Sequence, residues 1–110
     1  MIKITIFRGP DDRIKRFSVT GHAMYADPGK DIVCAGVSAV TVGAVNAIEK
    51  LTGVVPEAEM KSGLLSASLP ESGDAVRDEQ IQLLLAGMVV SLESIADEYG
   101  KFVKIKHTLA

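Results

Sequence analysis

Apolar residues in this chain alternate, then take a helical period, then alternate again, and the cycle occurs twice. That switching dictates an element order. From Met1 to Arg8, Ile2, Ile4 and Ile6 share one side, Gly9-Pro10-Asp11-Asp12 supplies turn residues, and Ile14 to Thr20 resumes with Phe17 and Val19 inward. This predicts a β-hairpin. Gly21 to Lys30 carries two glycines, a proline and no periodicity, and reads as the one long loop. Asp31 is placed to cap a helix running to about Thr52, with Gly53 as its left-handed stop. Val54 to Met60 and Leu64 to Leu69 flank Lys61-Ser62-Gly63 as a second hairpin, in which Pro56 suggests an edge. From about Asp74 to Tyr99, Ile81, Leu84, Leu85, Met88, Leu92 and Ile95 describe an amphipathic helix stopped by Gly100, and Lys101 to His107 closes as a strand.

The order ββαββαβ suits an α+β fold with two helices packed on one face of a mainly antiparallel sheet, a ferredoxin-like core being the nearest common relative. A chain of 110 residues fits one domain, 1–110, and buries about two-thirds of its unfolded surface. The first helix is apolar almost all round and is expected to be buried. In the second, Leu83, Val89 and Val90 widen the apolar stripe beyond what one sheet face needs, which points to a homodimer.

A net charge of −2 offers no general attraction to phosphate backbones, and direct nucleic-acid binding is not expected. Charge is nevertheless uneven. Arg8, Arg13, Lys15, Arg16, Lys101, Lys104 and Lys106 fall in the strand segments, whereas Asp74, Asp78, Glu79, Glu93, Asp97 and Glu98 follow the second helix. One cysteine excludes an intrachain disulfide, and with no leader-like start the expected location is cytoplasmic. The longest uncharged run, Ile32 to Ile48, falls short of the ~20 apolar residues of a membrane span, so none is expected.

That single cysteine, Cys34, falls in the first turn of the first helix, three residues after Asp31. A helix start aims unpaired N–H groups and the positive end of its dipole at nearby atoms, which favours a thiolate there. Twelve residues upstream, His22 lies across a flexible loop, and an imidazole within reach of a thiol can hold its proton and return it to a leaving amine. Chain reversal at Gly29 would bring the two together. The plainer readings stand beside this one: Cys34 as a small buried hydrophobe and His22 as a polar loop residue. Asp31 reads as a structural cap before a third catalytic member. Ser38, one turn beyond Cys34, can donate to a substrate carbonyl or bond its own helix backbone. An oxyanion hole falls to N–H groups at the helix start, that of Cys34 included. His107 has no evident partner. One cysteine and two distant histidines make a poor zinc set, and no cofactor is implied.

Gly21-His22-Ala23, followed by Asp31-Ile32-Val33-Cys34-Ala35-Gly36-Val37-Ser38, closely resembles the ribosomal-processing cysteine protease family of bacteria, known as Prp. The resemblance runs essentially end to end. It implies an endopeptidase that removes the N-terminal extension of a large-subunit ribosomal protein, number twenty-seven in the standard naming, with His22 and Cys34 as catalytic pair. It further implies a homodimer and a loop that Gly21 allows to move over substrate. Substrate aromatic residues would precede the cut, and a groove over Met24 and Tyr25 is the expected place for one. Two other readings compete: a noncatalytic ribosome-associated module that binds through its basic strand residues, and a thiol redox sensor, for which the chain has no resolving cysteine.

Overall fold

A computed structural model describes all 110 residues. Seven elements follow in the order β1 (Ile2–Arg8), β2 (Ile14–Thr20), α1 (Ile32–Thr52), β3 (Glu57–Lys61), β4 (Leu64–Ser68), α2 (Ala75–Glu98) and β5 (Val103–Leu109). The five strands form one sheet in the order β3-β4-β2-β1-β5. Three of the four pairings are antiparallel; β1 and β5 run parallel from Ile2↔Val103 to Arg8↔Leu109. With β1 set aside, the remaining elements have the βαββαβ connectivity of ferredoxin-like folds. β1 is thus an added strand wedged between β2 and β5, and the parallel pair results from that insertion.

Side-chain alternation gives the sheet two unlike faces. Ile2, Ile4 and Ile6 of β1, Phe17 of β2, Leu65 and Ala67 of β4 and Val103 of β5 are buried together with Val33, Val37 and Ile48 of α1 and with Ile81, Leu85, Met88 and Leu92 of α2. Both helices therefore cover one face. Buried hydroxyls on α1 are satisfied within the helix, Thr41 donating to the Val37 carbonyl at 2.8 Å and Thr52 to that of Ile48.

Several boundaries differ from the sequence expectation. β3 starts only at Glu57, because Pro56 lacks the N–H a ladder needs, and it occupies the sheet edge with every residue exposed. β5 continues through Leu109, held by its parallel pairing with β1. Gly53 is the left-handed stop of α1, at φ +78°. Gly100 plays no such part: α2 ends at Tyr99, with φ −120°, whose N–H donates to the Ile95 carbonyl.

The expectation that α1 is buried all round is also corrected. Its core contact is one stripe, and Ile32 and Leu51 are exposed. With 21 residues, α1 also exceeds the short span inferred from Ile32 to Ile48, and both helices are long and apolar enough by length and composition to cross a membrane. Core helices pass the same test, and here each one lays its buried stripe on the sheet.

Phe17 is completely enclosed at the centre of this core. Phe17→Ala is expected to lower stability by about 3–5 kcal/mol in urea unfolding, whereas Leu109→Ala at the exposed strand end should change it by under about 0.5 kcal/mol.

Candidate active site

β2 hands the chain to the long loop at Gly21, whose φ is +84° and where an added Cβ would sit 2.4 Å from the Met1 carbonyl oxygen. Left-handed backbone and close approach both demand glycine there. The Gly21 N–H donates to the Gly63 carbonyl at 2.9 Å, and the Met1 nitrogen donates to the His22 carbonyl. Backbone on both sides of His22 is thereby tied to β1 and to the β3–β4 turn. The imidazole leans on that turn, since a Cβ at Gly63 would come within 3.1 Å of His22 Nε2.

Beyond His22 the loop dips and rises. Ala23 is buried, and its N–H donates to Cys34 Sγ at 3.3 Å. Met24 takes φ +59°, a left-handed conformation uncommon for a residue with a side chain, and that side chain projects into solvent. The Tyr25 ring packs edge-on against Tyr99 at 5.6 Å and Phe102 at 5.2 Å. Gly29, at φ +84°, completes a turn in which the Lys30 N–H donates to the Asp27 carbonyl.

Asp31 then joins this loop to α1. One carboxylate oxygen, Oδ1, accepts from the N–H groups of Val33 and Cys34, each at 3.0 Å; the other, Oδ2, accepts from Tyr25 at 2.9 Å and Ala26 at 3.2 Å. Desolvation of the carboxylate opposes ionisation, but the four N–H groups outweigh it and hold Asp31 below the usual carboxylate range. This arrangement corrects the sequence-based oxyanion assignment. The Cys34 N–H is engaged by Asp31 Oδ1, and the Ala35 N–H by the Asp31 carbonyl. Among N–H groups near the sulfur, that of Ala23 is the one aimed at it.

Cys34 Sγ, His22 and Ser38 line a common cavity of about 250 Å³ between α1 and the β3–β4 hairpin. The sulfur is half-buried, with Ala23 as its hydrogen-bond partner, and His22 stands exposed across the cleft with no hydrogen bond to it. Ser38 is exposed, and its hydroxyl donates to no carbonyl of α1. The opposite wall is Met60, Gly63, Leu64 and Leu65. Met24 and Tyr25, expected to form the apolar groove, are not in this cavity; Tyr25 is committed to Tyr99 and Phe102. Sequence reasoning missed the hairpin wall. Its one signal is Met60, an apolar residue on a strand whose other members are polar or small.

His107 lies at the opposite end of the sheet, beside Arg8, whose Nε donates to its Nδ1 at 3.4 Å. A second cavity of similar volume, among Arg13, Glu71 and Asp78, holds no nucleophile, and its Asp78 accepts from Ser72.

The family model described as cysteine protease Prp matches residues 1–104 of this chain. The chain belongs to the Prp family of cysteine proteases. It is 46% identical over 107 residues to the ribosomal processing cysteine protease Prp of Bacillus subtilis, covering 96% of each chain. Two crystal structures of the Staphylococcus aureus Prp are similar to it. One, with a covalently linked product peptide, has a TM-score of 0.89 and 32% identity over 98% of this chain and all of that one. The other, with a substrate peptide, has a TM-score of 0.83 and 31% identity at the same coverage. Prp membership makes the protein a cysteine protease, and Cys34 is its only cysteine.

Because the folded-state pKa of Asp31 is depressed, its contribution is complete above the ordinary value of 3.8 and is lost as pH falls through the lower, folded value. The Tyr25, Ala26, Val33 and Cys34 amide resonances should therefore move together, with a midpoint below pH 3.8, in an NMR titration. Asp31→Asn should abolish that common transition.

Proposed function

We propose that this Prp-family protease removes the N-terminal extension from large-subunit ribosomal protein twenty-seven in the cytoplasm, acting as a single domain with Cys34 as nucleophile and His22 as general base and acid. The observation that carries the reading is Cys34 Sγ, half-exposed at the start of α1 in a cleft it shares with His22. The named relatives are ribosomal processing cysteine proteases, and one has a covalently linked product peptide.

The chemistry follows from the positions of the groups. His22 takes the thiol proton, and Sγ attacks the scissile carbonyl carbon, forming a carbon–sulfur bond and placing negative charge on the carbonyl oxygen. We assign the Ala23 N–H and the Ser38 hydroxyl to that oxygen. The first already points at the sulfur, and the second is free on the same wall of the cleft. Collapse expels the amine of the mature protein, which takes its proton from the imidazolium, and leaves the extension as a thioester. Water, deprotonated by His22, then releases the extension as a carboxylate and restores the thiol. No cofactor enters.

At rest His22 is not bonded to the sulfur, so the catalytic pair forms when peptide enters and the loop closes. Two features suit the loop to this. Gly21 forms a glycine pivot against Met1, and Met24 stores left-handed strain. Asp31 keeps the far end of the loop on α1, so that closure, which releases the Met1–His22 and Gly21–Gly63 hydrogen bonds, moves His22 while the helix start stays fixed.

We also propose a homodimer. Val76, Leu83 and Val90 recur at seven-residue intervals along the exposed side of α2, a spacing that makes a continuous seam for another helix. Leu83→Glu with Val90→Glu is expected to yield monomers in sedimentation equilibrium.

A peptide spanning the junction between the extension and the mature protein tests the chemistry. Cys34→Ser should abolish cleavage, and His22→Ala should slow it by about 10²–10⁴-fold, with circular dichroism unchanged.

A further inference from the structure

Opposite the helices, the sheet has a second face, which the catalytic reading leaves unused. On it stand Lys3, Thr5 and Phe7 of β1, the residues that alternate with buried Ile2, Ile4 and Ile6. The register sets Lys3 beside Lys104, Thr5 beside Lys106 and Phe7 beside Arg16. Lys3, Arg16, Lys104 and Lys106 are all exposed, and none takes part in an ion pair. The charge on this part of the face is therefore +4, in a chain whose net charge is −2. The acids lie elsewhere. Asp78, Glu79, Glu93, Asp97 and Glu98 are on α2, behind the sheet, and Glu57 and Glu59 are on β3, about 10 Å across two strand spacings from Arg16 on β2 and farther from the lysines. That exceeds the Debye length of about 8 Å at physiological salt.

We infer that this open face docks single-stranded RNA, with Lys3, Arg16, Lys104 and Lys106 on its phosphates. Four cations free of local acids complement a polyanion, and the hydroxyls of Thr5 and Ser18 between them add hydrogen bonds to phosphate or sugar. Phe7 is half-buried with the Arg16 guanidinium lying over its ring, 4.1 Å from the centroid, so an unpaired base stacks on the guanidinium plane that the ring supports. An open sheet face has no helix or ribbon to enter the groove of a duplex, which favours the single strand. Lys3 pairs with Thr20, the last residue before Gly21, so bound RNA would run past the root of the loop that carries His22. The catalytic cleft, on the helix side, would stay open. The inference does not depend on which peptide is cut.

The test is fluorescence anisotropy with a fluorescein-labelled single-stranded RNA of mixed sequence, across a series of potassium chloride concentrations. Four phosphate contacts predict a slope of log affinity against log salt of about −2.8. Lys3→Ser/Lys104→Ser/Lys106→Ser should reduce its magnitude by about 2 and still cut the junction peptide at the parent rate. Lys15→Ser/Lys50→Ser/Arg77→Ser, the same change in charge placed elsewhere, should retain the slope. Phe7→Leu should weaken binding about fivefold or more with the slope unchanged. Salt-independent or absent RNA binding overturns the inference, as does equal weakening by both triple variants. Displacement of the RNA by polyglutamate of matched charge also overturns it, by making the face a site for acidic protein. Loss of peptide cleavage in the open-face variant shows that the face is not separate from the cleft, and overturns it too.

Discussion

One carboxylate holds the catalytic region together. Asp31 accepts four backbone hydrogen bonds, two from the first turn of α1 and two from the loop that follows His22. An ordinary N-cap satisfies orphan donors at a helix start and has no further reach. Here the second oxygen also holds the middle of the loop, whose His22 end is fixed separately by Met1 and Gly63. The sulfur and the buried Ala23 take their relative places from that tether, and the imidazole from the backbone bonds at Gly21 and His22. It has an electrostatic consequence as well: the negative charge faces N–H groups and is spent on backbone, so the helix start is not left as an open anion site. The N–H aimed at the sulfur is instead that of Ala23.

The sheet divides the protein's work by face. Its apolar side carries α1 and α2 and, at one end, the cleft. Its polar side is a field of lysine, arginine and hydroxyl groups. Because side chains alternate along each strand, the two surfaces are specified by interleaved residues of the same short segments. Ile2 and Ile4 hold the core while Lys3 between them faces solvent.

Much of this architecture is legible in the sequence. Period-two runs, turn residues and the Asp31 cap place both hairpins, both helices and the position of Cys34 in the first turn, because each depends on interactions within a few residues. What escaped depends on contacts distant in the chain. The wedging of β1 between β2 and β5 is a tertiary choice that no local pattern carries. Pro56 signals an edge but not how many residues it removes from β3. Gly100 has the composition of a helix stop, yet Tyr99 ends α2 with φ below zero, since the chain there turns directly into β5. For the site, His22 and Cys34 could be read as a pair. The commitment of the Cys34 N–H to Asp31, the capture of Tyr25 by Tyr99 and Phe102, and the Met60 wall could not, because each is set by how the loop and hairpin pack in three dimensions.

The parallel pairing of β1 with β5 carries a consequence for biosynthesis. The second strand in the sheet's centre-to-edge order is the first to be translated, and its neighbour on that side is the last. A ribosome making this chain must therefore finish nearly all of it before the hydrogen-bonding edge of β1 finds its mate, and closing so long a contact is slow compared with forming either hairpin. The strand that anchors Met1 beside the His22 loop therefore stays unpaired on one side until β5 emerges, long after both hairpins can close.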